Sequence, residues 1–220
     1  MTFHAKNPHA IAAEDWTPWP EEFAHTYREA GYWTGETFPA FLRERATRFA
    51  EHTAVVDGHN RWTYAELDRC ADSLATGLAR LGVAEGDRVV VHLPNTATLL
   101  EVIFALFRLG ALPVYALPAH RHSELIHLAC TAEAIALVTS DTHAGFDCRP
   151  MADRVRSESP SLKHVLVVGD PGKDPAGFTA LETLRDEPER AALADPDPGT
   201  VAFFQLSGGT TGLPKLIPRT

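Results

Sequence analysis

Apolar strands alternate with helical segments through most of this chain, and that alternation limits the fold more than any other feature. Phe38 to Phe49 has a helical pattern, with Phe38, Phe41, Leu42 and Phe49 apolar. Thr53 to Asp57 is strand-like, Gly58-His59-Asn60 is a turn, and Arg61-Trp62-Thr63 is a short second strand. Thr63 and Glu66 have the spacing of a capping box, which opens a helix by satisfying two of its first N–H groups. That helix sets Leu67, Ala71, Leu74, Leu78 and Leu81 on one face, and Gly82 ends it. Arg88 to Leu93 reads as a buried strand and Pro94-Asn95 as a turn. The helix from Ala97 to Leu109 is apolar almost all round, so it belongs inside a layered domain. Leu112 to Leu117 is a strand, Ser123 to about Glu133 a helix, Ile135 to Thr139 a strand, Met151 to Ser157 a helix, and His164 to Val168 a strand. This order predicts an α/β fold: a layered, doubly wound, mostly parallel sheet with flanking helices.

The flanks divide differently. Residues 1–36 form an arm rich in aromatics and prolines, including Trp16, Trp19, Tyr27, Tyr32 and Trp33. Pro20 suits the first turn of a short helix, Glu21 and Glu22 sit near its positive end, and Gly31 stops it. The α/β subdomain is expected over 37–198. The stretch from Asp170 to Gly199 is rich in Asp, Glu, Pro and Gly and reads as surface loop around a short helix. Residues 199–220 hold a further strand and a glycine-rich loop.

Composition narrows the partners. A net charge of −9 argues against a general nucleic-acid binder, which needs a basic face. Cys70, Cys130 and Cys148 are odd in number and form no C-x-x-C pair, so they read as thiols in a reducing compartment. The first residues have no apolar signal core. The most hydrophobic stretch, Ala97 to Leu112, is broken by Glu101 and Arg108 and falls short of the roughly 20 residues a bilayer requires. The expectation is a soluble, cytoplasmic protein with no membrane and no nucleic-acid partner.

The apolar run Val201-Ala202-Phe203-Phe204-Gln205-Leu206 leads into Ser207-Gly208-Gly209-Thr210-Thr211-Gly212-Leu213-Pro214-Lys215. Exposed N–H groups, hydroxyl donors and one ammonium make a cradle for phosphate oxygens. Glycine permits the close approach such a loop needs. The loop is neither a Walker loop, since no Gly-Lys pair exists, nor a G-x-G-x-x-G dinucleotide fingerprint.

This string resembles the phosphate-loop signature of the acyl-adenylate-forming superfamily, which includes acyl-CoA synthetases, luciferases and peptide-synthetase adenylation domains. Trp62-Thr63-Tyr64-Ala65-Glu66-Leu67 is similar to its first core motif, and Leu106-Phe107-Arg108-Leu109-Gly110-Ala111-Leu112-Pro113-Val114 to its second. A narrower likeness is to the aryl-acid-activating branch, the 2,3-dihydroxybenzoate–AMP and salicylate–AMP ligases of siderophore assembly. It is carried by Pro20-Glu21-Glu22-Phe23 with Tyr27 and Gly31-Tyr32-Trp33, by Ala116-Leu117-Pro118-Ala119-His120-Arg121, by Pro160-Ser161-Leu162-Lys163-His164-Val165, and by Leu216-Ile217-Pro218-Arg219-Thr220. The resemblance covers essentially the whole chain and about the first two-fifths of such an enzyme.

The resemblance implies ATP-dependent activation of an aryl acid as its acyl-AMP, with Mg²⁺, release of pyrophosphate, and transfer to the thiol of an aryl carrier protein. It implies a loop that joins two strands of a hairpin, with Ser207, Gly208, Gly209, Thr210, Thr211, Gly212 and Lys215 on the ATP phosphates. The main catalytic residues are expected beyond Thr220, so this chain alone is expected to be inactive, poorly soluble or self-associating. Alternatives are an aryl- or acyl-CoA ligase fragment and a non-catalytic nucleotide-binding remnant. His120-Arg121-His122 with His127 has a metal-like look, but no acid or Cys completes it at a familiar spacing, and no metal site is assigned. Glu101 and Arg108 are expected to have structural partners, and Asp141 and Asp147 to serve a loop or a cap.

Overall fold

The computed structural model describes residues 17–58, 60–173, 177–185, 196–207 and 213–220. The arm contains α1 (Glu21–Glu29), opened by Pro20. Trp19, Tyr27, Tyr32 and Trp33 pack on one another there, and the Arg28 guanidinium lies 5.9 Å from the Trp33 ring centroid. Trp16 lies outside the described residues.

Next come α2 (Phe38–Arg48), the antiparallel pair β1 (Thr53–Asp57) and β2 (Asn60–Thr63), and α3 (Tyr64–Leu81). The capping box forms as expected. Thr63 N donates to Glu66 Oε2 at 2.8 Å, and Glu66 N donates to Thr63 Oγ1 at 3.2 Å. Gly82, at φ 98°, closes the helix. Of the apolar residues in and just after α2, Leu42 is buried, whereas Phe38, Phe41 and the capping Phe49 stay more than a third exposed. The helix lies outside α3 and α4, and Phe38 stacks on Phe107 at 4.5 Å instead of entering the core.

The rest is β3 (Arg88–His92), α4 (Ala97–Leu109), β4 (Leu112–Tyr115), α5 (His122–Thr131) and β5 (Ala136–Ser140). After these come the short pair β6 (Thr142–His143) and β7 (Phe146–Asp147), then α6 (Arg149–Glu158), β8 (His164–Val168), β9 (Thr179–Ala180), a 3₁₀ turn over Leu181–Leu184, β10 (Phe203–Leu206) and β11 (Leu216–Arg219). Strand β4 stops at Tyr115, two residues short of the expected Leu117. Leu117 is exposed, and the proline after it keeps it extended in the loop.

Seven of the eleven described strands form one sheet in the order β11-β10-β4-β3-β5-β8-β9, and β1-β2 and β6-β7 stand as separate pairs. Within the sheet all neighbours are parallel except β10 and β11. Alternate side chains divide between two cores, as the two-residue period of a strand requires. Val90, Leu137, Val165 and Val167 face α5 and α6 with Leu125, Leu128, Met151 and Val155. Val89, Val91, Val138 and Leu166 face α3 and α4 with Leu74, Leu78, Val102 and Leu106. Helices thus cover both faces, which is the doubly wound arrangement the alternation predicts.

The charges on the apolar helix α4 are partnered. Both Glu101 oxygens accept from Arg185, at 2.8 and 2.7 Å. Arg108 donates to the Asp68 carbonyl at 2.7 Å and pairs with the carboxylates of Asp68 and Asp72.

Candidate functional site

The glycine-rich string sits between β10 and β11, and the structure brings its two ends together. The antiparallel register runs from Phe203 opposite Arg219 to Leu206 opposite Leu216. One further closure follows. Ser207 N donates to the Lys215 carbonyl at 3.0 Å, and Lys215 N donates to Ser207 Oγ, also at 3.0 Å. Since that hydroxyl oxygen accepts from Lys215, its hydrogen is left to donate outward. The Lys215 side chain is exposed, as is Leu213. Gly208, Gly209, Thr210, Thr211 and Gly212 lie outside the described residues.

The direction of β10 fixes where this hairpin points. Phe204 pairs parallel with Val114, so Ser207 leaves β10 at the carboxyl ends of β4, β3, β5 and β8. Doubly wound sheets bind ligands at that edge. Helix α5, which follows β4, reaches the same hairpin: His127 Nε2 lies 3.0 Å from the Pro214 carbonyl oxygen. A carbonyl only accepts, so Nε2 carries the proton.

Between β4 and α5, the Ala116–Arg121 loop is held by its own groups. Leu117 N donates to His120 Nδ1 at 3.2 Å, and Arg121 donates to the carbonyls of Pro118 and His120 at 3.1 and 2.8 Å. Glu124 accepts from Arg121 N at 3.0 Å, which starts the helix and holds the carboxyl below its usual range. The Arg121 guanidinium lies 4.3 Å from the Phe146 ring centroid. His120 and Arg121 therefore order the loop. Among the described residues, no three His, Cys, Asp or Glu side chains gather as a metal would need. Asp141 and Asp147 serve loops: Asp141 accepts from Thr142 N and Asp170 N, and Asp147 pairs with Arg149.

Sequence reading missed two histidines at this edge. His92 ends β3 with its ring buried and Nδ1 3.0 Å from Thr139 Oγ1 on β5. Burial pushes its pKa down to about 4. In sequence His127 stands out only beside His120 and His122, and its contact with Pro214 spans 87 residues, beyond the reach of any local pattern.

Comparison with known proteins places these features. Residues 42–220 match the family model described as AMP-binding enzyme. The 2,3-dihydroxybenzoate-AMP ligase of Bacillus subtilis is 50% identical over 204 residues, covering 93% of this chain and 37% of that protein. The salicyl-AMP ligase / salicyl-S-ArCP synthetase of Mycobacterium tuberculosis is 45% identical over 209 residues, covering 92% of this chain and 36% of that protein. Among solved structures, apo MbtA of Mycobacterium smegmatis superposes with a TM-score of 0.84 at 45% identity, over 93% of this chain and 37% of that one. The chain thus spans less than two-fifths of the length of these relatives. No helix among the described residues is long and apolar enough to cross a membrane.

Proposed function

We propose an aryl-acid adenylating role for this chain, which belongs to the AMP-binding enzyme family. The acid is 2,3-dihydroxybenzoate or salicylate, the activating nucleotide is ATP, and the acceptor of the activated acyl group is the thiol of an aryl carrier protein. Two of the relatives act on those acids by name. The observation that carries the reading is the closed β10–β11 hairpin, which presents Lys215 at the carboxyl edge of the sheet.

In this reaction a substrate carboxylate oxygen forms a bond to the α-phosphorus of ATP. The bond from that phosphorus to the bridging oxygen breaks, and pyrophosphate leaves with the electron pair. No protein nucleophile is needed, so the work is positioning and charge stabilisation. Ser207, Thr210 and Thr211 supply hydroxyl donors, Gly208, Gly209 and Gly212 supply backbone N–H groups, and Lys215 offsets charge on the β- and γ-phosphates. Mg²⁺ bound with the nucleotide supplies further positive charge there. Residues 199–220 contain no Asp or Glu, which suits a loop facing polyanions.

Since the chain spans under two-fifths of its relatives, adenylation is proposed for it together with the portion they have beyond the match. In this reading residues 1–36 are an N-terminal arm, 37–198 the α/β subdomain, 199–220 the phosphate element, and the location is the cytoplasm. A relative described as salicylyl-CoA synthase / salicylate adenylyltransferase, 43% identical over 215 residues, supports coenzyme A as the second acceptor to test.

The test is titration of the chain with ATP and with inorganic pyrophosphate. Both are expected to raise its melting temperature, and Lys215→Ala is expected to abolish the rise. Stabilisation that survives Lys215→Ala undiminished would refute the phosphate assignment. In a version extended as the relatives are, pyrophosphate exchange dependent on 2,3-dihydroxybenzoate or salicylate is expected. Exchange driven equally by aliphatic acids would overturn the choice of substrate.

A further inference from the structure

Besides its ladder to β4, the phosphate hairpin has two ties close to Lys215, and only one belongs to the hairpin itself. The Ser207–Lys215 pair closes the stem. The second tie comes from α5, 87 residues away in sequence, where His127 Nε2 meets the Pro214 carbonyl. Proline has no N–H to give the ladder, and its carbonyl lies one residue before Lys215. Leu125, Leu128 and Ala129 anchor α5 in the core, which leaves His127 on the flank toward the hairpin. The other ring nitrogen, Nδ1, lies 3.4 Å from Thr131 Oγ1 one turn on, and in the Nε2–H tautomer it accepts from that hydroxyl. The ring is therefore fixed at both nitrogens, by its own helix and by the loop.

We propose that His127 is a positioning residue for the phosphate loop: by holding the Pro214 carbonyl, it fixes the stem that aims the Lys215 ammonium at the β- and γ-phosphates of a nucleoside triphosphate. The proposal rests on the phosphate-loop reading. Without this bond Lys215 still projects from the stem, but the hairpin is then held to α5 by packing alone, and ordering it must be included in the cost of binding.

The test compares His127→Phe, which keeps a flat ring and loses the donor, with His127→Gln, whose amide N–H reaches the same carbonyl. Affinities for ATP and inorganic pyrophosphate are measured by calorimetry on the chain, alongside its melting temperature. Loss of one neutral hydrogen bond predicts that His127→Phe weakens both ligands about three- to tenfold. His127→Gln is expected to bind within about twofold of wild type, since the donor is retained. A folded His127→Phe that binds as tightly as wild type would overturn the proposal. So would a His127→Gln chain as impaired as His127→Phe, because the donor would then be irrelevant.

Amide hydrogen exchange at Lys215 needs no ligand. It is expected to quicken in His127→Phe and stay near wild type in His127→Gln, and unchanged exchange in His127→Phe counts against the tie. If wild-type chain binds neither ATP nor pyrophosphate, the phosphate reading fails, while the exchange data still decide whether His127 holds the stem. If His127→Phe does not fold, the ring ¹⁵N resonances of wild type decide. Protonation at Nε2 that shifts on pyrophosphate addition supports the proposal, and a ring protonated at Nδ1 alone overturns it.

Discussion

His92 is placed where charging it is costly. Its side chain is 3% exposed. Burial is the main reason its pKa falls from 6.5 to about 4, and His120, Arg121 and His143 nearby oppose a second positive charge. Folded protein therefore keeps His92 neutral in a range where the unfolded chain binds a proton. Its contribution to stability is complete above about pH 6.5 and is lost as pH falls toward 4, to a total of about 3 kcal/mol. Urea denaturation at pH 7 and at pH 4.5 should show that loss, and His92→Gln should flatten the difference. An equal pH slope in the variant would show that other groups carry it. Glu101 presents the complementary case, a fully buried carboxylate with both oxygens on Arg185. Removing Arg185 alone strands that charge and is expected to cost about 3–5 kcal/mol. The double change Glu101→Leu with Arg185→Met should cost less than Arg185→Met by itself. Sequence reading assigned structural partners to Glu101 and Arg108 because both lie on an otherwise apolar helix. Which residues those partners are was not legible, since Arg185 lies in a segment with no periodic pattern.

Among the elements, α3 shows local and tertiary preferences opposed. Its start was legible because a capping box needs only four residues in a row, and Thr63→Ala is expected to cost about 1 kcal/mol by thermal melting. Gly77 was not interpretable from sequence. Alanine there would gain about 1 kcal/mol of helix propensity. Yet the structure puts the Leu184 carbonyl against the Gly77 backbone, and an added Cβ would press into that oxygen and stand 2.8 Å from the Leu184 Cβ. The Ser73 hydroxyl donates to the Arg185 carbonyl on the same strap, so the strap has little freedom to retreat. The clash should win: Gly77→Ala is expected to lower stability by about 1–3 kcal/mol, seen as a fall in melting temperature. A rise would show that the strap moves aside freely. The same contrast explains which boundaries sequence reading gave. Strands and helices that bury one face announce themselves by period, and the helix Ala97–Leu109 has the expected limits. The 3₁₀ turn Leu181–Leu184 packs on Gly77, and Arg185 just after it pairs with Glu101, both far away in sequence.

For the whole molecule, strand order decides where the chemistry sits. Sequence alternation gives a parallel sheet but not the position of β10 beside β4, and that neighbour relation carries the glycine-rich loop to the edge where β3, β4 and β5 end. The loop's glycines, hydroxyls and lysine stand out in the sequence because the proposed phosphate chemistry calls for those residue types. Its stem contacts with α5 were not, because only the folded sheet brings Pro214 to His127. The attachment of the hairpin is slight: the ladder to β4 is Phe204 opposite Val114, supported by Phe204 in the core and by Phe203 against Phe38, Phe107 and Tyr115. Central strands β3 and β5 are instead flanked on both sides by longer parallel ladders. The hairpin should therefore open by itself, at a free energy below that of global unfolding. Native-state hydrogen exchange is expected to show β10 and β11 amides exchanging well before those of β3 and β5, with ATP closing the gap. Phe204→Ala then provides a discriminating change. It should speed exchange in β10 and β11, leave β3 and β5 nearly as protected as before, and weaken ATP binding although Phe204 touches no phosphate. Val90→Ala, in the centre of the sheet, should lower global stability by about 1–3 kcal/mol while leaving ATP affinity near wild type. If both variants lower every amide's protection together, the hairpin and the sheet are one cooperative unit, and ligand affinity is set by global stability and not by this attachment.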